Sequence, residues 1–266
     1  MTAVGSDLDA QPGGIQARER EYTVMGETFR LPAVIRHASA ASAMFFIPAG
    51  PVQDMIAYSG LEVAEPLPGR AGLCVVFVKY VDTDFGPYNE VGVCAMVRPP
   101  EASRRAPSGV SSGTKVREYW RGNVGAFVHR LPVNSEFSCA AGIDIWGFPK
   151  FVADIRSDFA TRRASCQLSA DGADILSMSM PARGALGSKR TGVDAFSYRD
   201  GVLRRVRWSL RAGGMGVHLP GSVKLELGTH PIADELRAAG LPRKPVVVAS
   251  VRNVMGEFGD PEVVEI

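Results

Sequence analysis

Lys150 is the residue of this sequence best placed to do covalent chemistry. It ends the run Ala140-Ala141-Gly142-Ile143-Asp144-Ile145-Trp146-Gly147-Phe148-Pro149-Lys150, in which small and apolar residues deliver one amine behind Gly-Phe-Pro. Proline fixes its own φ and biases the preceding residue toward extended backbone, so the approach to the lysine is stiff. Trp146, Phe148 and Phe151 flank it with aromatic surface. Loss of hydration favours the neutral amine, and a neutral lysine amine adds to carbonyls and forms Schiff bases. The alternative is a lysine whose stem packs on aromatics while its head reaches water. The residue types by themselves favour this second reading.

The same stretch resembles the active-site signature of the acetoacetate decarboxylase superfamily, in which Gly-Arg-Glu precedes an aromatic-Pro-Lys ending in the Schiff-base lysine. Lys150 falls on that lysine. Phe127-Val128-His129 is similar to the family's upstream strand, with His129 at its histidine position. The segment His230-Pro231-Ile232-Ala233-Asp234-Glu235-Leu236, followed by Gly240-Leu241-Pro242, looks like the family's C-terminal region. The likeness runs from about Thr28 to the C-terminus. Two departures stand out: Ile143-Asp144 replaces Arg-Glu, and Phe151 replaces the second lysine of the decarboxylases proper. A further family glutamate falls near Val76, which is apolar.

The resemblance implies an α+β, mainly β fold: a cone-shaped closed mixed β-barrel with small flanking helices, assembled into a homo-oligomer. It also implies Lys150 and Glu90 as catalytic residues, with Glu90 buried and paired to an arginine. That arginine falls on Arg30, with Arg36 the alternative. Arg30, His129, Trp146, Phe148 and Phe151 are the expected substrate-binding residues. The implied activity is that of a lyase acting on a keto acid through a lysine iminium, by decarboxylation or aldol-type carbon–carbon chemistry. It requires no cofactor and no metal. The alternative is a non-covalent ligand-binding or cyclase-like relative that keeps the barrel without lysine catalysis.

The rest of the chain must supply the elements that hold these groups. With 266 residues and 45% apolar content, one large domain over 21–266 is expected, preceded by a flexible segment 1–20. The near balance of 30 basic and 28 acidic residues argues against a nucleic-acid partner. No apolar run approaches the roughly 20 residues that span a bilayer, and Met1 to Glu21 lacks a secretory apolar core. Cys74, Cys94, Cys139 and Cys166 have no Cys-x-x-Cys spacing, which disfavours zinc and predicts reduced core thiols in a cytoplasmic protein.

The counts of 29 glycines and 18 prolines fit a turn-rich, strand-rich chain. Strands are predicted within 21–36 and over 72–81, 90–97, 125–131, 151–156, 163–169, 174–180, 202–210, 222–228 and 245–255. Asp171-Gly172 and Asp200-Gly201 are hairpin-turn signals. The Ala-rich 39–47 is predicted as a short helix, 98–117 as a loop and Gly213–Gly216 as a turn. Asn134-Ser135 predicts a helix N-cap and Gly147 its close. Pro231 and Gly240 bracket a last helix.

Overall fold

The protein is described from a computed structural model, which covers residues 20–101, 113, 116, 117, 119, 121–160, 162–184 and 189–265. The predicted N-terminal segment, up to residue 19, and most of the predicted 98–117 loop lie outside the described residues. In chain order the elements are β1 (Glu21–Val24), β2 (Glu27–Arg30), β3 (Ala33–Pro48), α1 (Ala49–Ile56), β4 (Arg70–Thr83), β5 (Tyr88–Val97) and β6 (Gly125–Val133). They continue with α2 (Glu136–Trp146), β7 (Lys150–Val152), β8 (Asp154–Phe159), β9 (Arg163–Ala170), β10 (Ala173–Pro181) and β11 (Lys189–Arg199). The last are β12 (Val202–His218), β13 (Lys224–Leu227), α3 (Pro231–Ala239) and β14 (Val247–Val263).

Seven strands pair in the order β11-β12-β14-β3-β4-β5-β6, and β6 returns to β11 in parallel through Ala126↔Ala195 and Phe127↔Phe196. The result is a closed mixed seven-strand barrel with small helices, the fold expected from the sequence. Closure removes the exposed edges that an open sheet would carry. A four-stranded antiparallel sheet, β13-β10-β9-β8, packs beside it. Its hairpin turn at Asp171-Gly172 has φ of 51° and 75°, the left-handed pair a two-residue hairpin requires.

Two predictions of local structure are corrected. The Ala-rich 39–47 is not a helix but the centre of β3, hydrogen-bonded to β14 on one side and β4 on the other. Ala41, Ala43, Phe45 and Ile47 are buried in strict alternation, so pairing on both edges overrides the helix propensity of alanine. Gly213–Gly216 is not a turn but part of β12. A Cβ on Gly216 would lie 1.9 Å from the Arg183 carbonyl oxygen, so glycine there permits close approach of a neighbouring segment.

Because the barrel strands are apolar on both faces, two cores form. One, around Phe45, Phe77, Phe127 and Phe196, packs against the four-stranded sheet, α1 and α3. The other gathers Tyr80, Tyr88, Leu131, Trp146 and Phe148 with β1, β2 and α2. Among the described residues no helix is long and apolar enough to cross a membrane.

Helix α3 is latched to β6 by Glu235, whose carboxylate accepts from His129 Nε2 at 2.9 Å and from the Arg130 guanidinium at 3.1 Å. Burial pushes the Glu235 carboxyl up, but hydrogen bonds and charge from His129 and Arg130 outweigh it and hold the carboxyl at about 2. Its folded value therefore lies below the ordinary 4.5, and the latch contributes fully above that pH and is lost as pH falls toward 2. Urea midpoints measured between pH 5 and pH 2 should fall with acid in the parent protein and fall less steeply in Glu235→Gln.

Candidate active site

The lysine is positioned by a strand-helix-strand unit. After β6, the Ser135 hydroxyl accepts from the Ser138 backbone N–H and caps α2. Gly147, with φ of 64°, ends the helix, and the N–H groups of Gly147 and Phe148 return to the carbonyls of Ile143 and Gly142. Pro149 then feeds β7, which joins β6 in parallel with Lys150 opposite Leu131. The side chain lies back across the helix over Gly142. A Cβ there would meet Lys150 Cδ at 2.4 Å and Cε at 2.6 Å, so this glycine is the berth for the lysine stem.

The amine does not end in a purely apolar wall. Nζ stands 2.9 Å from Glu90 Oε2, with the two side chains only 7% and 10% exposed. It also donates to Ser138 Oγ at 3.0 Å and lies 5.4 Å from the centre of the Tyr88 ring. Glu90 and Tyr88 sit two apart on β5 and so share a face. Tyr80, paired across the ladder with Tyr88, stacks on it at 4.3 Å and donates its hydroxyl to Glu90 Oε1 at 3.2 Å. Burial first, and the Glu90 charge second, push both phenols well above the ordinary tyrosine range. They remain neutral hydroxyl groups.

Around this cluster is a cavity lined by Phe85, Leu131, Trp146, Phe148, Trp208 and Phe258 together with Tyr88, Glu90, Ser138 and Lys150. Its free volume is about 20 Å³, room for about one water. Phe85 stands 5.8 Å from Trp146, and Trp208 stands 6.2 Å from Phe148 and 5.4 Å from Phe258. The wall is thus a continuous set of edge-to-face and tilted rings.

Of the residues singled out in the sequence, the structure brings Lys150, Glu90, Trp146 and Phe148 together. Arg30 is elsewhere: it lies on the β1–β2 hairpin, largely exposed, bound to the Glu21 carboxylate at 2.8 Å. Arg36 is no substitute, since it pairs with Asp82 and Asp84 on the surface. Neither lines the cavity, and the partner of Glu90 is the lysine rather than an arginine. His129 is turned away by a register shift: Val93 pairs with Arg130 but Cys94 with Val128, so His129 is the extra residue of a bulge. Its ring goes to Glu235 and Tyr58. Phe151 points to the opposite side of β7 and packs in the other core.

Ser138, Tyr80, Phe85, Trp208 and Phe258 were not singled out as site residues. Ser138 is three residues after the predicted cap and one helical turn before Gly142, so it shares the helix face over which the lysine stem lies. Trp208 and Phe258 come from β12 and β14, and their meeting depends on barrel closure.

The fold is thus a closed β-barrel whose aromatic cavity holds a buried lysine–glutamate pair. A sequence model of the acetoacetate decarboxylase family matches residues 22–265, so the chain belongs to that family. Its fold is similar to that of an acetoacetate decarboxylase from Legionella pneumophila, with a TM-score of 0.62 at 16% identity over 99% of this chain and 98% of that one. A second acetoacetate decarboxylase structure aligns with a TM-score of 0.61 at 15% identity, over 89% and 90%. The enduracididine biosynthesis enzyme MppR, bound to the condensation product of pyruvate and imidazole 4-carboxaldehyde, aligns with a TM-score of 0.51 at 14% identity, over 94% and 98%. No curated protein matches the sequence.

The contact between Gly142 and the lysine stem yields a direct test. Gly142→Ala should leave the fold intact by circular dichroism but displace Nζ from Glu90 and Ser138. The rate of labelling of Lys150 by an amine-reactive or carbonyl reagent should then change at least several-fold, while Gly50→Ala, which has open space around its Cβ, should not alter it.

Proposed function

We propose that this protein is a Schiff-base-forming lyase that acts on a small keto acid, with Lys150 as nucleophile and Glu90 as its proton-transfer partner. The observation that carries this reading is the 2.9 Å contact between Nζ and Glu90 Oε2, buried inside an aromatic cavity. An ammonium is not a nucleophile, and here a carboxylate is within reach to take its proton.

Glu90 accepts one proton from Nζ, and the freed amine adds to the substrate carbonyl to give a carbinolamine. Glu90 returns the proton to the carbinolamine hydroxyl, which leaves as water, and the C=N⁺ bond remains. That iminium draws the electron pair of a bond at the neighbouring carbon. If the bond is to a carboxylate, CO2 departs; if it is to hydrogen, Glu90 takes the proton. Either route gives an enamine, which is protonated or attacks a second carbonyl. Tyr80 holds Glu90 through Oε1, leaving Oε2 for Nζ, and Ser138 fixes the other side of the amine. The lysine iminium is the electron sink, so this chemistry calls for no cofactor.

Family membership supports decarboxylation. The pyruvate condensation product held by MppR supports the aldol-type branch on the same fold. The absence of a second lysine beside Lys150 also favours carbon–carbon chemistry other than that of the decarboxylases proper, since Phe151 occupies that position and faces the other core.

Incubation with pyruvate or acetoacetate and borohydride should add the mass of one reduced adduct on the peptide containing Pro149-Lys150. Lys150→Met should abolish it, while Lys79→Ala and Lys224→Ala should not. Glu90→Gln should still form the adduct, at a rate lower by roughly 10²-fold. An adduct only on other lysines, or none, would leave a non-covalent binding protein as the reading.

A further inference from the structure

Several polar hydrogens in and beside the cavity wall have acceptors within the protein. Tyr80 O–H goes to Glu90, Lys150 Nζ to Glu90 and Ser138, and Trp146 Nε1–H to the Gly259 carbonyl at 2.8 Å. Trp208 is the exception. Its Nε1 is buried without an acceptor, although the residue lines the same cavity as Lys150. A buried N–H that donates to nothing carries a desolvation cost, and tryptophan is ordinarily placed where that donor is used.

The charges of the site give this orphan a purpose. Among the described residues that line the cavity Lys150 is the one cation, and it faces Glu90. Arg30 and Arg36 are engaged on the surface with Glu21 and with Asp82 and Asp84. Among the described lining residues there is therefore no guanidinium to meet a keto acid. We infer that Trp208 Nε1–H is a substrate-positioning and specificity-determining group: it donates to a carboxylate oxygen of a small 2-oxo acid whose carbonyl carbon is at Lys150 Nζ. The inference rests on the Schiff-base reading and names how the carboxylate is recognised. Two groups then share the anion. The neutral indole satisfies one oxygen by a charge-assisted hydrogen bond, and the iminium formed at Lys150 supplies the countercharge.

The chemistry of recognition follows from the type of donor. A lone neutral N–H orients a carboxylate without binding it as tightly as a bidentate arginine would, so the 2-oxo acid is held by its carboxylate while the bond that breaks is a C–H bond on the other side of the iminium carbon. The rings of Phe148 and Phe258 pack against Trp208 and restrict its freedom to turn away.

The test uses pyruvate and acetone, which share the carbonyl and differ in the carboxylate. Trp208→Phe keeps an aromatic ring and removes the N–H. The ratio of the rates at which borohydride traps pyruvate and acetone on Lys150 should fall by about tenfold or more in this variant. An unchanged ratio, including an equal loss with both ketones, would overturn the inference and mark Trp208 as packing only. A second measurement stands apart from imine chemistry. In ¹⁵N-labelled parent protein, the indole N–H resonance that disappears in Trp208→Phe should move downfield on titration with pyruvate. If neither ketone is trapped at Lys150 in the parent, the Schiff-base reading fails, and the indole titration still decides: a shifted Trp208 resonance supports carboxylate recognition, and an unmoved one overturns it.

Discussion

The candidate site is organised around a buried ion pair between Lys150 and Glu90. Moving two charges out of water costs several kcal/mol per ion even after relaxation. Their attraction returns only about 4 kcal/mol at 4 Å under an effective dielectric of 20. Such a pair does not persist for stability by itself, and its neighbours show the added support it needs. Tyr80 donates to one oxygen of Glu90, Ser138 accepts from the amine, and the Tyr88 ring lies against the cation. Each of these groups is more useful to a reacting amine than to a hydrophobic core.

The barrel can be understood as the frame that holds this pair. Glu90 is on β5, flanked by Val78 of β4 and Val133 of β6, while Lys150 is on β7 at the far side of β6. Only a strand that crosses between them in fixed register brings carboxylate and amine to 2.9 Å. The α2 helix sets the distance along the chain, and Gly142 removes the one side chain that would obstruct the lysine stem. The bulge at His129 divides β6 into two halves of opposite phase. The latch to α3 is made at the bulge, by His129 and the following Arg130, and the second half, through Leu131, serves the cavity.

Much of this was legible from local chemistry, and the failures were non-local. The cap at Ser135, the stop at Gly147 and the stiff Phe148-Pro149 approach follow from residue types that act within a few positions. The family likeness pointed to the lysine and to Glu90. The Ala-rich β3 was misread because its helix propensity is a local property, whereas its strand pairing involves partners at Val76 and Ala249. Arg30 and His129 were misplaced for the same reason: one hairpin salt bridge and one bulge decide where they point, and neither leaves a period in the sequence. Phe151 is adjacent to the lysine in sequence, which suggests a place in its surroundings. In a strand, adjacency puts it on the opposite face. The aromatic half of the wall from β12 and β14 is assembled only when the barrel closes.

The central claim is that Lys150, with Glu90, makes and breaks a carbon–nitrogen bond to a bound carbonyl. Exchange of the carbonyl oxygen of ¹⁸O-labelled pyruvate with solvent measures this without a trapping agent, because each cycle of imine formation and hydrolysis replaces that oxygen. The account predicts exchange well above the buffer background in the parent protein and at background in Lys150→Met. Background exchange in the parent, or undiminished exchange in Lys150→Met, would contradict it.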